Sequence, residues 1–103
     1  MAKLIYSTPS LKDIESIKNF ISADSAANAH RFIKIIRARI TILKKYPEIG
    51  KPVYPEKYSN LRQLLYKSYR IIYHFSDDEV KIITVHHQSR LIENIQAIKE
   101  YKE

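Results

Sequence analysis

The sequence predicts an α+β fold in which helices pack on one face of a small antiparallel sheet. Two observations carry this prediction. Residues 61–90 form short runs rich in apolar and aromatic side chains, and apolar residues before and after them recur at helical spacing. The predicted order is one strand, two helices, three strands and a last helix. A chain of 103 residues is large enough for one hydrophobic core, so we expect a single domain over residues 1–103.

The three successive strands are predicted where Tyr, Ile, Val and Phe dominate. They cover Leu61–Tyr66, Tyr69–Phe75 and Val80–His86, with connections of two and four residues between them. Connections this short cannot carry a parallel crossover, so the strands are expected to form an antiparallel meander.

The first half of the chain predicts a short strand and a helical hairpin. Lys3–Ser7 fits a strand, and Pro9–Ser22 has the apolar spacing of an amphipathic helix, with Asp13 on its polar face. Asp24-Ser25 breaks this helix and caps a second one, which has a broad apolar face and ends at Tyr46-Pro47.

The rest of the chain predicts one long loop and a last helix. Pro47–Asn60 holds three of the four prolines and the single glycine, which is typical of a loop that crosses from the helices to the sheet. Leu91–Tyr101 carries isoleucines at helical spacing, so we expect a short C-terminal helix there.

The composition is that of a basic, soluble protein. The net charge is +7 and the pI is about 9.6, which favours an acidic partner such as a nucleic acid, an acidic protein segment or an anionic membrane surface. Cysteine is absent, which excludes disulfides and thiolate chemistry. No apolar run approaches the ~18 residues of a membrane span, and no signal peptide is evident, so a cytoplasmic protein that does not enter a membrane is expected.

Cationic or titratable side chains accumulate on and beside the predicted sheet. They are Arg62, Arg70, His74, His86, His87 and Arg90. They are either solvated charges or one surface for a partner. By alternation, Arg70 and His74 face away from the helices if Tyr73 faces them. A buried Arg70 would instead need a carboxylate such as Glu48 or Asp77. No metal site is predicted, because adjacent strand residues such as the two histidines point to opposite faces.

A family resemblance rests on the segments LKKYPEIGKPV, LRQLL, SYRIIYHF and VKIITVHHQSR. In this order they resemble the RelE/ParE superfamily of bacterial type II toxins, which includes plasmid-stabilisation proteins. The most specific parts are Tyr69–Tyr73 and Val85–Arg90, with Arg62 at the usual distance before them. The resemblance covers nearly the whole chain. It implies a helical hairpin on a curved antiparallel sheet, and a toxin that a cognate antitoxin neutralises in a hetero-oligomer.

The second helix carries exposed cations that the resemblance allows us to interpret. Arg31, Lys34 and Arg37 are expected to contact the antitoxin, whose tail folds on the toxin surface. The alternatives are a solvated helix face, which these residue types favour, and a stripe that binds nucleic acid.

The superfamily divides by target, and the chemistry of the two branches differs. RelE-like members cleave mRNA in the ribosome with a Lys pair, the Arg of the Tyr-Arg motif, and a later Arg and Tyr. Here Arg70 matches the motif Arg, but the Lys pair is missing, and Gln88 and Asn94 occupy the two later positions. The resemblance therefore favours a ParE-like poison of DNA gyrase, which needs no cofactor, over a RelE-like endonuclease acting on the ribosome and mRNA.

Each interpretation assigns its own site. A gyrase poison would bind its target through Arg62, Arg70, His74, His87 and Arg90. A metal-independent endoribonuclease would use Arg62, Arg70, His86, His87 and Arg90 as catalytic residues. In that case one of the histidines would be the base, although the sequence shows no carboxylate that would orient it. The third interpretation is an inactive module that only binds an antitoxin or nucleic acid.

Overall fold

A computed structural model describes residues 1–101 and confirms the α+β fold. The strands are β1 (Lys3–Tyr6), β2 (Lys51–Pro52), β3 (Leu61–Tyr66), β4 (Tyr69–Ser76) and β5 (Glu79–His87). The helices are α1 (Thr8–Ser22), α2 (Ala26–Thr41) and α3 (Gln96–Lys99). All five strands belong to one sheet in the order β1-β5-β4-β3-β2.

The sheet combines the predicted antiparallel meander with one parallel pair. Strands β3, β4 and β5 pair antiparallel, as their short connections require. The second connection is shorter than predicted, because Asp77 and Asp78 both adopt left-handed backbone angles and close a two-residue turn. Strand β1 pairs with β5 in parallel at one edge of the sheet, and the helical hairpin leads from β1 to β2 at the other edge. The sheet is therefore mixed.

A bulge in β5 changes which face each residue of that strand reaches. Ile72 pairs with Thr84 and Tyr73 pairs with Ile82, so Ile83 is an extra residue on β5. Strict alternation from Val80 would have turned Val85 away from the helices. The extra residue shifts the alternation of β5 by one position. Val85 therefore faces the helices and joins Ile82 in the apolar core under them.

Apolar residues cover both faces of the sheet. The helical-side core contains Ile14, Phe32, Ile36, Ile40, Leu43, Tyr66, Ile71, Tyr73, Val80, Ile82 and Val85. A smaller C-terminal core on the opposite face contains Val53, Leu61, Ile72, Ile83, Ile92, Ile95 and Ile98. The predicted helix Leu91–Tyr101 is wrong in extent, because Ile95 has an extended backbone that separates a single 3₁₀ turn, Ile92–Asn94, from α3. The segment still buries the predicted isoleucines Ile92, Ile95 and Ile98.

The helical hairpin follows the prediction with two corrections. Helix α2 stops at Thr41 and continues as a 3₁₀ turn to Lys44, short of the predicted end. Asp13, placed on the polar face of α1 by its spacing, points towards β5. Within residues 1–101, no helix combines the length and apolarity needed to span a membrane.

The loop between the hairpin and the sheet is fastened by one buried tyrosine. The Tyr73 hydroxyl donates a hydrogen bond to the Pro47 carbonyl (2.8 Å) and accepts one from the Gly50 amide (2.9 Å). A Cβ at position 50 would overlap the Tyr73 ring and hydroxyl, so the single glycine of the chain is required by this close approach.

We expect Tyr73→Phe to lower the free energy of unfolding by about 1–2 kcal/mol, because the ring stays packed while the buried Gly50 amide loses its acceptor. Urea unfolding measures the change. Tyr46→Phe is the matched control, since Tyr46 is 51% exposed, and it is expected to be near neutral. Equal effects of the two substitutions would contradict this role for Tyr73.

Candidate target-binding site

The face of the sheet opposite the helices carries a row of side chains that are register partners. Leu65 on β3, Arg70 on β4 and His86 on β5 lie side by side across three strands. Register partners share one face of a sheet, and Ile71, the next residue on β4, lies in the helical-side core. Leu65 is 56% exposed, so this end of the face is open beyond the C-terminal core.

Arg70 is the central cation of this row. Its Nη1 donates to the Gln63 side-chain oxygen (3.4 Å) and its Nη2 to the Gln88 carbonyl (3.2 Å). The Nε atom is buried and has no hydrogen-bond partner within residues 1–101. In the same part of the chain no carboxylate forms an ion pair with Arg70, so neither Glu48 nor Asp77 neutralises it. The guanidinium charge is held in place by neutral oxygens and remains available to a partner.

One border of the row is formed by a tyrosine and a glutamate. Tyr54 adopts a left-handed backbone (φ 44°), and its hydroxyl donates to the Glu93 carboxylate (2.7 Å). This hydrogen bond raises the pKa of Tyr54 and lowers the pKa of Glu93, while the nearby Arg70 charge acts on Tyr54 in the opposite direction. The contact ties the long loop to the C-terminal segment beside Arg70.

Asp13 closes the outer edge of β5, where β1 has already ended. Its Oδ2 accepts a hydrogen bond from the Thr84 hydroxyl (2.5 Å) and another from the Val85 amide (3.1 Å). Its Oδ1 lies 3.6 Å from His86 Nε2. One carboxylate thus satisfies an edge amide and a buried hydroxyl, and it stands beside the histidine of the row.

His86 is the titratable member of the row. Burial lowers its pKa below the usual 6.5, and the Arg90 charge acts in the same direction, whereas Asp13 opposes both. The neutral imidazole is therefore favoured near neutral pH. His86 and Arg90 also line a groove of about 300 Å³ together with Lys12.

The two adjacent histidines point in different directions. His87 is exposed, its Nδ1 lies 2.8 Å from the Ser89 hydroxyl, and its ring meets that of Tyr69 edge to face at 5.5 Å. Tyr69 packs on Phe32 of α2, so His87 lies at the rim of the helical side, away from Arg70. Within residues 1–101, no three His, Asp or Glu side chains converge as metal ligands.

Arg62 and His74 lie apart from the row. Arg62 is the register partner of Tyr73, and its Nη1 donates to the carbonyls of Glu48 (3.1 Å) and Gly50 (2.8 Å), so it holds the loop before β2. His74 is half-buried, with its ring 5.8 Å from that of Tyr101. The structure therefore brings Arg70 and His86 together and leaves Arg62, His74 and His87 elsewhere; the functional role of each stays a prediction.

The cations predicted to meet an antitoxin are all exposed on α2. Arg31 donates to the Asn28 side chain (3.4 Å), and the Arg37 guanidinium lies 5.4 Å from the centre of the Tyr6 ring. Arg31 therefore contacts its own helix, whereas Arg37 lies against β1, and Lys34 is between them in sequence.

A helical hairpin on a mixed sheet is the fold expected of a type II toxin of the RelE/ParE superfamily. The family described as the ParE toxin of the type II toxin-antitoxin system parDE matches residues 4–92. The chain belongs to this family. The resemblance to the superfamily found in the sequence is confirmed.

Two solved structures share the fold. The chromosomal ParDE toxin–antitoxin system from P. aeruginosa contains a chain that superposes with a TM-score of 0.70 at 14% identity. The toxin–antitoxin complex RelBE2 from Mycobacterium tuberculosis contains one with a TM-score of 0.63 at 19% identity. Both alignments cover 84% of this chain and 96% of the other. No curated protein sequence matches the chain.

The sequence interpretation missed Asp13, which lies 71 residues from Thr84 in the chain. Its position among polar residues of α1 is that of a solvated face, and no local pattern marks a carboxylate that reaches a distant strand edge. Gln63 and the Gln88 carbonyl were also missed as partners of Arg70, because a bulge and a turn set their positions.

We expect Asp13→Ala to lower the free energy of unfolding by about 2–3 kcal/mol, because the Thr84 hydroxyl and the Val85 amide both lose their acceptor. Asp13→Asn keeps one acceptor oxygen and is expected to cost less. Chemical denaturation measures both, with the exposed Glu15→Ala on the same helix as control. An Asp13→Ala protein as stable as the control would show that the carboxylate is dispensable.

Proposed function

We propose that this ParE-family toxin inhibits DNA gyrase by binding it through the row centred on Arg70, and that a cognate antitoxin neutralises it. The observation that carries the proposal is Arg70 itself, a cation without an ionic partner among the described residues, held on the open face of the sheet. An arginine that is fixed by packing but not neutralised is a common anchor of protein interfaces.

The surroundings of Arg70 support binding more than catalysis. Cleavage of RNA without a metal needs a base for the 2′-hydroxyl, stabilisation of the phosphate and an acid for the leaving oxygen. The hydrogen-bond partners of Arg70 are an amide side chain and a backbone carbonyl, and neither transfers protons. A gyrase inhibitor requires no such set, so on this proposal the toxin is not an enzyme.

Ribosome-dependent mRNA cleavage is the second candidate, and one contact favours it. His86 is the register partner of Arg70 and has the Asp13 carboxylate 3.6 Å from its Nε2, which is the arrangement of an oriented base beside a phosphate-binding cation. On this alternative the catalytic candidates are Arg62, Arg70, His86, His87 and Arg90.

Arg70→Ala should abolish growth arrest while the fold is retained, because the side chain makes no ion pair within residues 1–101 that folding depends on. Purified wild-type toxin should inhibit gyrase supercoiling, and the variant at least about tenfold less, as for an interface hot spot. Arg37→Ala removes an exposed arginine from the hairpin and should leave inhibition unchanged.

Pulse-labelling after induction of the toxin alone distinguishes the targets. An early fall in DNA synthesis supports gyrase, whereas an early fall in protein synthesis assigns the toxin to mRNA. If neither falls, the chain is an inactive module that binds an antitoxin or nucleic acid. Loss of the folded state in Arg70→Ala would make Arg70 structural.

Charge reversal at Arg31 and Lys34 is expected to weaken binding of an acidic antitoxin, because both side chains are exposed on α2. The loss should be larger at low salt than at high salt, since salt screens exposed charges. Calorimetric titration of the antitoxin encoded with this toxin measures it. The same loss at both salt concentrations would exclude an electrostatic role for these two residues.

A further inference from the structure

A second cleft lies on the helical side of the molecule, between the tip of the hairpin and the β3–β4 turn. Its volume is about 470 Å³. Its lining includes three aromatic residues, Phe32, Tyr66 and Tyr69, and two cations, Arg31 and Lys67. The row at Arg70 lies on the other face of the sheet, so the cleft is a separate surface.

The charges around this cleft are of one sign. Arg31 and Lys67 are exposed, and the Arg39 guanidinium lies 4.9 Å from the centre of the Tyr66 ring. Within the described part of the chain, the lining contains no Asp or Glu. Lys67 is the first residue of the turn and has a left-handed backbone conformation (φ 52°), which fixes the direction of its side chain. The cleft is therefore suited to an anionic ligand.

The wall of the cleft also includes a tyrosine that is only partly buried. Tyr69 is half-buried, and its ring contacts Phe32 and His87 at interplanar angles of 64° and 85°. Both are edge contacts, and among residues 1–101 no ring is stacked parallel on Tyr69. A planar group that reaches the exposed part of Tyr69 can contact its ring while its charge meets the flanking cations.

We propose that this cleft binds single-stranded nucleic acid, with a base stacked on Tyr69 and phosphates at Arg31 and Lys67. Cations beside an aromatic ring are the usual elements of such sites. An acidic peptide would use the cations but would gain little from the ring, so the ring distinguishes the two ligands. The net charge of +7 adds long-range attraction to either.

The test is fluorescence anisotropy of the full chain with a labelled oligothymidylate of about 12 nucleotides. Arg31→Glu/Lys67→Glu should weaken binding at least about tenfold and reduce the slope of log K against log salt by about 1–1.5. Lys18→Glu/Lys51→Glu changes the net charge equally at exposed positions outside the cleft and should weaken binding much less. Tyr69→Leu should cost about tenfold, and Tyr69→Phe little.

Three results would overturn the proposal. They are no binding by the wild-type chain, equal losses in the two charge-reversal variants, or equal affinity of Tyr69→Leu and Tyr69→Phe with both proteins folded. Tighter binding of a polyglutamate peptide, with the same dependence on Arg31 and Lys67, would assign the cleft to a protein partner instead. Gyrase supercoiling is measured separately with the same variants, so the failure of one proposal leaves the other intact.

Discussion

The extra residue at Ile83 is the constraint on which the arrangement of both surfaces depends. With regular alternation, His86 would face the helices together with Val80, and Val85 would be the register partner of Arg70. The bulge reverses this. Because of the bulge, Val85 packs in the helical-side core. His86 lies next to Arg70, and His87 faces Tyr69. A single insertion in one strand thus decides which histidine belongs to which face.

The same part of β5 would be an open strand edge if α1 did not reach it. Strand β1 pairs with β5 only as far as Ile82, and the Ser7 hydroxyl and the Asp13 carboxylate take over the hydrogen-bonding groups beyond that point. Edges left open invite pairing with other chains. Because Asp13 also stands beside His86, the residue that closes the edge sets part of the electrostatic environment of the row.

Local patterns in the sequence predicted most of the fold and part of the site. The strands β3 to β5 and the buried stripe of α2 follow from alternation and helical spacing, and the position of Arg70 on the face away from the helices follows from Tyr73. The bulge, the parallel pairing of β1 and the reach of Asp13 depend on contacts between distant parts of the chain. No propensity encodes these contacts. For the same reason Arg62 of β3, which looks like a site residue in the sequence, instead holds the loop before β2 with its side chain.

The adjacent histidines have a practical consequence. His86 lies on the open face and His87 lies against Tyr69, which lines the cleft, so the two consecutive histidines are on opposite sides of one sheet. Their imidazole resonances are natural reporters in NMR spectra, one for each side, without any added label. A ligand that perturbs one resonance and spares the other reveals which side it occupies, and two ligands bound at once can be followed in a single sample.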